Sequence, residues 1–271
     1  MTTLVTLEEL AARVEDGASI GLGGSFLHRA PCAFVRALVA RGASGLELVK
    51  PSPSYDLDLL CRAGALRRVR IGIAAMDGER GLLPAYRRAV EHGELELEEH
   101  SCITIVSGLR ASASGVPFLP VAGLDGSDLP SLNGWHRLAD PYGSGRHVVV
   151  VPAIRPDVAI LHANEIDEDG NARVYGSPQW DRVLSRAAAR VLVTAERLVP
   201  RERIRAQPEL TLVPGFLVEA AAIVARGAWP GSAHPDYGVD DAAIERYLED
   251  GDGSLERHLE EAPEARSPAR A

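Results

Sequence analysis

Apolar runs alternate with segments of helical periodicity over most of the chain. The first unit is the strand "SIGLGG" (residues 19–24), followed by the helix "APCAFVRALVARG" (30–42) with Pro31 in its first turn. Because strands that alternate with helices form parallel sheets covered on both faces, the pattern predicts an α/β fold, an open and mostly parallel sheet flanked by helices. Further strands are predicted at 45–51, 68–75, 94–101, 147–154, 157–166 and 190–199.

Two segments depart from this alternation. Residues 121–145 are rich in Gly, Asp, Ser and Pro and have weak periodicity, which predicts an excursion or lid. The tail, residues 251–271, is charged and rich in Pro and Ala, and its end is expected to be disordered. No linker divides the rest, so residues 1–250 are expected to form a single domain. The first 17 residues are predicted to form a capped amphipathic helix.

Composition and charge exclude several classes of protein. A net charge of −9 argues against nucleic-acid binding, which needs a basic surface. No apolar run approaches the 18 residues typical of a membrane span, so we expect a cytoplasmic protein that does not bind membranes. The three cysteines, Cys32, Cys61 and Cys102, are odd in number and widely spaced, which favours neither a disulfide framework nor a metal site.

The glycines at the end of the first strand indicate a close approach of backbone to a ligand or to another segment. A dinucleotide-binding loop is disfavoured because Phe26 replaces the third glycine of G-x-G-x-x-G and the next strand ends near Lys50 without an acid. A tight turn that binds no ligand is the simple alternative.

Two further sets of side chains are candidates for a site. His162, and with it Asn164, lies near the C-terminal end of an apolar strand, the edge where open α/β sheets bind ligands, although a hydrogen-bonded core histidine is the alternative. His100 lies two residues before Cys102, which would suit thiolate chemistry, whereas a small residue at a helix start is the simpler interpretation.

Five segments together resemble the A (alpha) subunit of family I coenzyme A transferases, the group that contains glutaconate CoA-transferase and the 3-oxoacid CoA-transferases. They lie in family order between residues 17 and 238, and "PDVAILHA" followed by "DGNARVYG" is the most specific part. The resemblance implies the CoA-transferase fold and a B (beta) subunit of similar fold, in a heterodimer or a dimer of heterodimers. It implies acyl-CoA and carboxylate substrates, with no resident cofactor or metal. The segments are residues 17–38, 115–121, 148–176, 191–199 and 231–238.

The resemblance also implies roles for individual residues. In the family the Gly-rich loop lies toward the active site, where backbone amides and small side chains approach the acyl group. This assigns Gly23, Gly24, Ser25 and Phe26 to substrate binding. The nucleophilic glutamate belongs to the B subunit, so the chain is expected to be catalytically incomplete alone.

One position departs from the family pattern. Where 3-oxoacid transferases have a glutamine that donates to the oxyanion, this chain has Cys102, with Ser101 beside it, and a thiol is a weak donor. Ser101 or a backbone amide could supply the donor instead, and transferase activity would then be retained. Alternatively, the chain belongs to a ring-opening hydrolase of steroid-derived CoA thioesters, whose "AHPDYG" stretch it shares but whose glutamate it lacks unless the register slips to Glu98 or Glu99. A non-catalytic binding subunit is the third hypothesis.

Overall fold

A ten-stranded sheet forms the centre of the molecule in the computed structural model, which describes residues 2–77, 80–250 and 255–260. Its strands are β1 Thr3–Leu4, β2 Ser19–Leu22, β3 Leu46–Lys50, β4 Leu66–Ile71, β5 Glu96–Glu99, β9 Val158–Ile166, β10 Ala172–Arg173, β11 Arg190–Leu198, β12 Thr211–Val213 and β13 Ala220–Ile223. Eight of them follow the order β1-β13-β11-β9-β2-β3-β4-β5 and all pair in parallel, whereas β10 pairs antiparallel with β9 and β12. This confirms the predicted α/β class.

Helices cover both faces of the sheet, which is why its central strands are apolar on both sides. All nine residues of β9 are buried: Val158 and Ile160 face one apolar cluster, and Ala159 and Leu161 face the other. The helices are α1 Leu7–Ala11, α2 Cys32–Ala40, α3 Tyr55–Arg62, α4 Pro84–Glu91, α5 Cys102–Ala113, α6 Leu129–Leu132, α7 Asp181–Ala187, α8 Arg201–Arg205, α9 Asp241–Glu249 and α10 Leu255–Glu260. None of these helices is long and apolar enough to cross a membrane.

The strand order reverses between β2 and β9. From β2 the chain proceeds outward through β3, β4 and β5, whereas β9, β11 and β13 extend the sheet in the opposite direction. In open α/β sheets such a switch point leaves a crevice at the C-terminal ends of the strands, where ligands bind. The Gly-rich loop follows β2 and therefore lies at this crevice.

A second, three-stranded antiparallel sheet lies outside the parallel one. It consists of β6 (Phe118–Val121), β8 (His147–Pro152) and β7 (Arg137–Ala139), with β8 in the middle. The prediction that residues 147–154 belong to the parallel sheet is therefore wrong. The valines of β8 form a continuous apolar run because Val149 and Val151 pack with Val121 and Leu124 in a small separate core. Residues 121–145 contain α6 and β7, and their role as a lid stays a prediction.

The two ends of the chain differ from the sequence-based expectation. Thr3–Leu4 pairs with β13, and α1 begins only after Thr6, whose side chain and Glu9 form a capping box, so the predicted single N-terminal helix is too long. Of the predicted tail, 251–271, only α10 falls among the described residues; the rest lies outside them.

Candidate active site

The Gly-rich loop directs its backbone amides into the protein. All four amides of residues 23–26 donate to acceptors inside the chain, and the substrate-binding role that the resemblance implied for these residues stays a prediction. Ser25 and Phe26 are half-buried and form the outer part of the loop. In order, the four amides bond to Ile160 O (2.9 Å), Asp181 Oδ1 (2.9 Å), His28 O (2.9 Å) and Ser52 O (2.8 Å).

Two glycines of the loop are needed for close packing. A Cβ on Gly23 would lie 2.6 Å from Leu161 Cδ2. Gly24 has a φ of +70°, and a Cβ there would lie 2.5 Å from the carbonyl of Arg29. The tight-turn interpretation therefore accounts for both glycines without a ligand, and substrate binding by residues 23–26 stays a prediction.

A buried ion pair holds this loop. Asp181, the first residue of α7, is fully buried; its Oδ1 accepts the Gly24 amide and its Oδ2 pairs with Arg29. Arg29 also donates to His162 O (3.2 Å) and Ser177 O (3.0 Å). Sequence patterns gave no sign of this pair because its members are 152 residues apart and only the tertiary fold brings them together.

Cys102 lies next to the loop at the same edge of the sheet. Its Sγ is 3.4 Å from both Pro51 O and Ser52 Oγ, and Ser52 is buried. Ser52 also accepts the Phe26 amide, so residue 52 contacts both parts of the site. A Cβ on Gly72 would lie 2.5 Å from Cys102 N, so only glycine permits this approach. The contact between Ser52 and Cys102 was not predicted, because these residues are 50 positions apart and only the tertiary fold brings them together.

Ser101 caps the helix that begins at Cys102. Its side chain accepts from the Thr104 amide, while its own amide donates to Thr104 Oγ1 at 2.9 Å. The hydroxyl also lies 3.4 Å from Thr104 Oγ1, to which it can donate, so it is engaged in the cap. The oxyanion role of Cys102 and Ser101 stays a prediction.

The His100 side chain forms hydrogen bonds with residues other than Cys102. Its Nε2 bonds Glu98 Oε1 (2.9 Å) and its Nδ1 bonds Thr104 Oγ1 (3.1 Å). Burial alone would raise the pKa of Glu98, but the bond from His100 and the charges of Arg70 and Arg68 outweigh it and lower that pKa to about 2. The histidine therefore belongs to a polar cluster with Glu98, which does not favour the thiolate hypothesis.

His162 and Asn164 have their hydrogen-bond partners within the chain. His162 is fully buried and contacts Thr194 Oγ1 (2.9 Å) and Glu196 Oε1 (2.7 Å). Burial raises the pKa of Glu196, yet the bonds from His162, Tyr237 OH and the Arg226 amide outweigh it and lower that pKa overall. His162 thus fits the alternative of a satisfied core histidine, and a direct role for it stays a prediction.

Asn164 joins three segments of the chain. Its side-chain oxygen accepts the Tyr175 amide (2.9 Å), and its Nδ2 donates to His234 O (3.0 Å) and Asp236 Oδ2 (2.7 Å). The Asn164 side chain therefore connects residues 231–238 to β9. A direct role of Asn164 in the site stays a prediction.

A cleft of about 270 Å³ opens beside the loop, and His28, Ser232 and His234 line part of it. His28 Nδ1 lies 2.7 Å from Ser232 Oγ.

Two carboxylates near this edge, Asp181 and Asp56, are buried in ion pairs with Arg29 and Lys50, so neither suits the role of a nucleophile.

The comparison with known families agrees with this architecture. The model of the coenzyme A transferase family matches residues 4–224, and the chain belongs to this family. It is 33% identical to the A subunit of 3-oxoadipate CoA-transferase from Pseudomonas knackmussii, covering 89% of this chain and 85% of that one. It is 32% identical to the cholesterol ring-cleaving hydrolase IpdA subunit of Mycobacterium tuberculosis, covering 90% and 86%. The family match and the first of these similarities confirm the resemblance to A subunits of CoA transferases.

Solved structures place the fold in the same group. Glutaconate coenzyme A-transferase from Acidaminococcus fermentans superposes with a TM-score of 0.88 at 28% identity, covering 95% of this chain and 86% of that one. The decarboxylase AibA/AibB superposes with a TM-score of 0.86 at 35% identity, covering 96% and 97%. An uncharacterized protein of Archaeoglobus fulgidus is 34% identical over 91% of this chain, which spans only 55% of that protein's length.

Proposed function

We propose that the chain is the A subunit of a CoA transferase that moves CoA between an acyl-CoA thioester and a carboxylic acid, with a B subunit that supplies the catalytic glutamate. The observation that carries the proposal is the convergence of the Gly-rich loop, Ser52 and Cys102 at the switch point of the sheet, in a chain that matches transferase A subunits over most of its length. CoA is a substrate in this proposal, and the chain needs no resident cofactor.

The chemistry needs a carboxylate from outside this chain. A partner glutamate attacks the thioester carbonyl, CoA leaves as the thiolate, and a mixed anhydride forms. The thiolate then attacks the glutamyl carbonyl, releasing the first acid and leaving a glutamyl-CoA thioester that passes its CoA to the second acid by the reverse steps. The local acids Asp181 and Asp56 form ion pairs with the buried side chains of Arg29 and Lys50. This supports a partner as the source of the nucleophile.

In this proposal the chain shapes the acyl site and stabilises the oxyanion. Ser25 and Phe26 lie on the outer side of the loop, where an acyl group would pack. The Cys102 thiol, beside Pro51 and Ser52, is the side chain that would donate to the negatively charged oxygen, together with first-turn amides of α5.

Decarboxylation of an acyl-CoA is a second candidate. Two observations favour it: the 35% identity to AibA/AibB over nearly all of both chains, and Cys102 at the position where the resemblance expects a glutamine. In this alternative the same cleft holds a thioester whose acyl group loses CO₂, and no acceptor acid is required.

Mass spectrometry of the co-purified A and B subunits after incubation with acyl-CoA tests the proposal. A transferase gives a CoA adduct on a partner glutamate, together with acceptor-dependent exchange. The chain without its partner is the control, and it should give no adduct. Release of CO₂ without an adduct would establish the decarboxylase, and acceptor-independent hydrolysis would establish the ring-cleaving alternative. A complex that turns over no acyl-CoA would contradict all three.

A further inference from the structure

A serine, a histidine and an aspartate lie in sequence beside the Gly-rich loop. His28 Nδ1 is 2.7 Å from Ser232 Oγ, and His28 Nε2 is 3.8 Å from Asp77 Oδ2. The His28 side chain is 59% exposed, and Ser232 is half-buried in the wall of the cleft of about 270 Å³. None of the roles proposed above uses these three side chains.

Backbone hydrogen bonds hold the histidine and the serine against each other. Ser232 N donates to Leu27 O, and Arg29 N donates to Ser232 O, each at 2.7 Å. These two bonds lie on either side of His28 in the chain. His28 also closes a turn with Ser25 through two backbone bonds of 2.8 Å and 2.9 Å. The contact between the two side chains is therefore preorganised, although their positions are 204 residues apart.

The position of Asp77 decides which nitrogen of His28 is basic. A carboxylate near Nε2 favours the tautomer that carries its proton on that nitrogen. Nδ1 is then unprotonated, so the Ser232 hydroxyl donates its hydrogen bond to Nδ1. A hydroxyl bonded to a base that an acid orients is the arrangement of an activated nucleophile, and such contacts are often long until a substrate binds.

Strained backbone surrounds the same cleft. In the part of the chain that the structure describes, five residues other than glycine have a positive φ, and three of them adjoin this site. Arg29 (φ +58°) and Gln179 (φ +48°) line the cleft, and Asp77 (φ +87°) faces His28. Such conformations are costly and cluster where a function requires them. This second observation points to a functional site at the cleft.

We propose that Ser232 is a nucleophile that hydrolyses short-chain acyl thioesters and esters, with His28 as its general base and Asp77 as a positioning residue. The volume of the cleft suits an acyl group of a few carbon atoms, and the exposure of His28 admits water. This activity needs no partner glutamate, so it goes beyond the proposed function and does not depend on it.

The reaction proceeds in two steps. In the first, His28 takes the Ser232 proton while Oγ bonds to the acyl carbon, and the C–S or C–O bond breaks as the leaving group takes up that proton. In the second, water gives a proton to His28 and attacks the acyl-serine, and Ser232 Oγ leaves and is reprotonated by His28. The net reaction converts a thioester and water to an acid and a thiol.

A fluorophosphonate probe and acetyl-CoA test the site in the full chain. The probe should label Ser232, as located by peptide mass spectrometry, and the chain should release acetate from acetyl-CoA without an acceptor acid. Ser232→Ala should abolish both. His28→Gln should slow labelling about a hundredfold, as expected for the loss of a general base. Added imidazole should restore part of the rate in His28→Ala, which a structural role of His28 would not produce.

The positioning residue and the controls have separate variants. Asp77→Asn should lower kcat for acetyl-CoA about tenfold and leave KM unchanged, because it alters the base and not the cleft. His92→Gln is the matched control for His28, since His92 is also exposed and also lies 3.8 Å from an acid, Glu94, but outside this site. Ser112→Ala removes a hydroxyl that donates to Ala187 O. Both controls should leave labelling and hydrolysis unchanged.

Three results would overturn the proposal. The first is a wild-type chain in which the probe does not label Ser232, and the second is labelling without any release of acetate. The third is hydrolysis that survives Ser232→Ala, which would instead favour the ring-cleaving alternative. The transferase proposal is tested separately, by the CoA adduct on a partner glutamate, so each of the two can fail without the other.

Discussion

Replacing Asp181 should weaken the fold and the Gly-rich loop together. Asp181→Ala leaves the buried Arg29 guanidinium without a counter-charge and removes the acceptor of the Gly24 amide. Breaking a buried pair by removing one partner costs about 3–5 kcal/mol of the free energy of unfolding. Asp181→Asn keeps an oxygen that can accept the Gly24 amide, so it should cost less. Replacing both members, Arg29→Met with Asp181→Leu, should recover part of the loss because no buried charge remains.

Urea unfolding followed by tryptophan fluorescence measures these differences. The control is Asp16→Ala, which removes an exposed partner of Arg41 and should change the free energy of unfolding by less than about 1 kcal/mol. Two results would show that the Arg29–Asp181 pair does not stabilise the loop. One is a cost of Asp181→Ala no larger than that of the control, and the other is a double variant less stable than either single variant.

Three further predictions concern the same edge of the sheet. Gly23→Ala should cost about 1–3 kcal/mol because its Cβ meets Leu161, and denaturation should show a smaller cost when Leu161→Ala is also present. Cys102→Ala should lower kcat about tenfold, less than the hundredfold typical of a strong oxyanion donor, while Cys102→Ser retains activity; equal rates would exclude the thiol from catalysis. The pKa of Glu98, lowered from 4.5 to about 2, adds stability that is complete above pH 5 and is lost as pH falls toward 2. Glu98→Gln should therefore flatten the fall of the melting temperature below pH 5, and an unchanged slope would contradict the lowered pKa of Glu98.

The parallel sheet could be predicted from the sequence because its signals are local. β2 and the first half of β9 are mostly apolar, and the glycines after β2 mark the turn directly. β8 carries the same kind of apolar run, yet it pairs antiparallel with β6 and β7, since pairing depends on distant partners that no local pattern reveals. For the same reason the sequence pointed to the loop but not to Asp181.

The inward-facing amides of the Gly-rich loop have a consequence for how substrate binds. Each of the four is already hydrogen-bonded, and the loop is fixed to β9, to α7 and to the turn after β3. Its conformational entropy is therefore lost when the protein folds and not when an acyl group arrives. If the loop binds the acyl group as proposed, such a preorganised wall would favour rapid binding with little rearrangement in this chain.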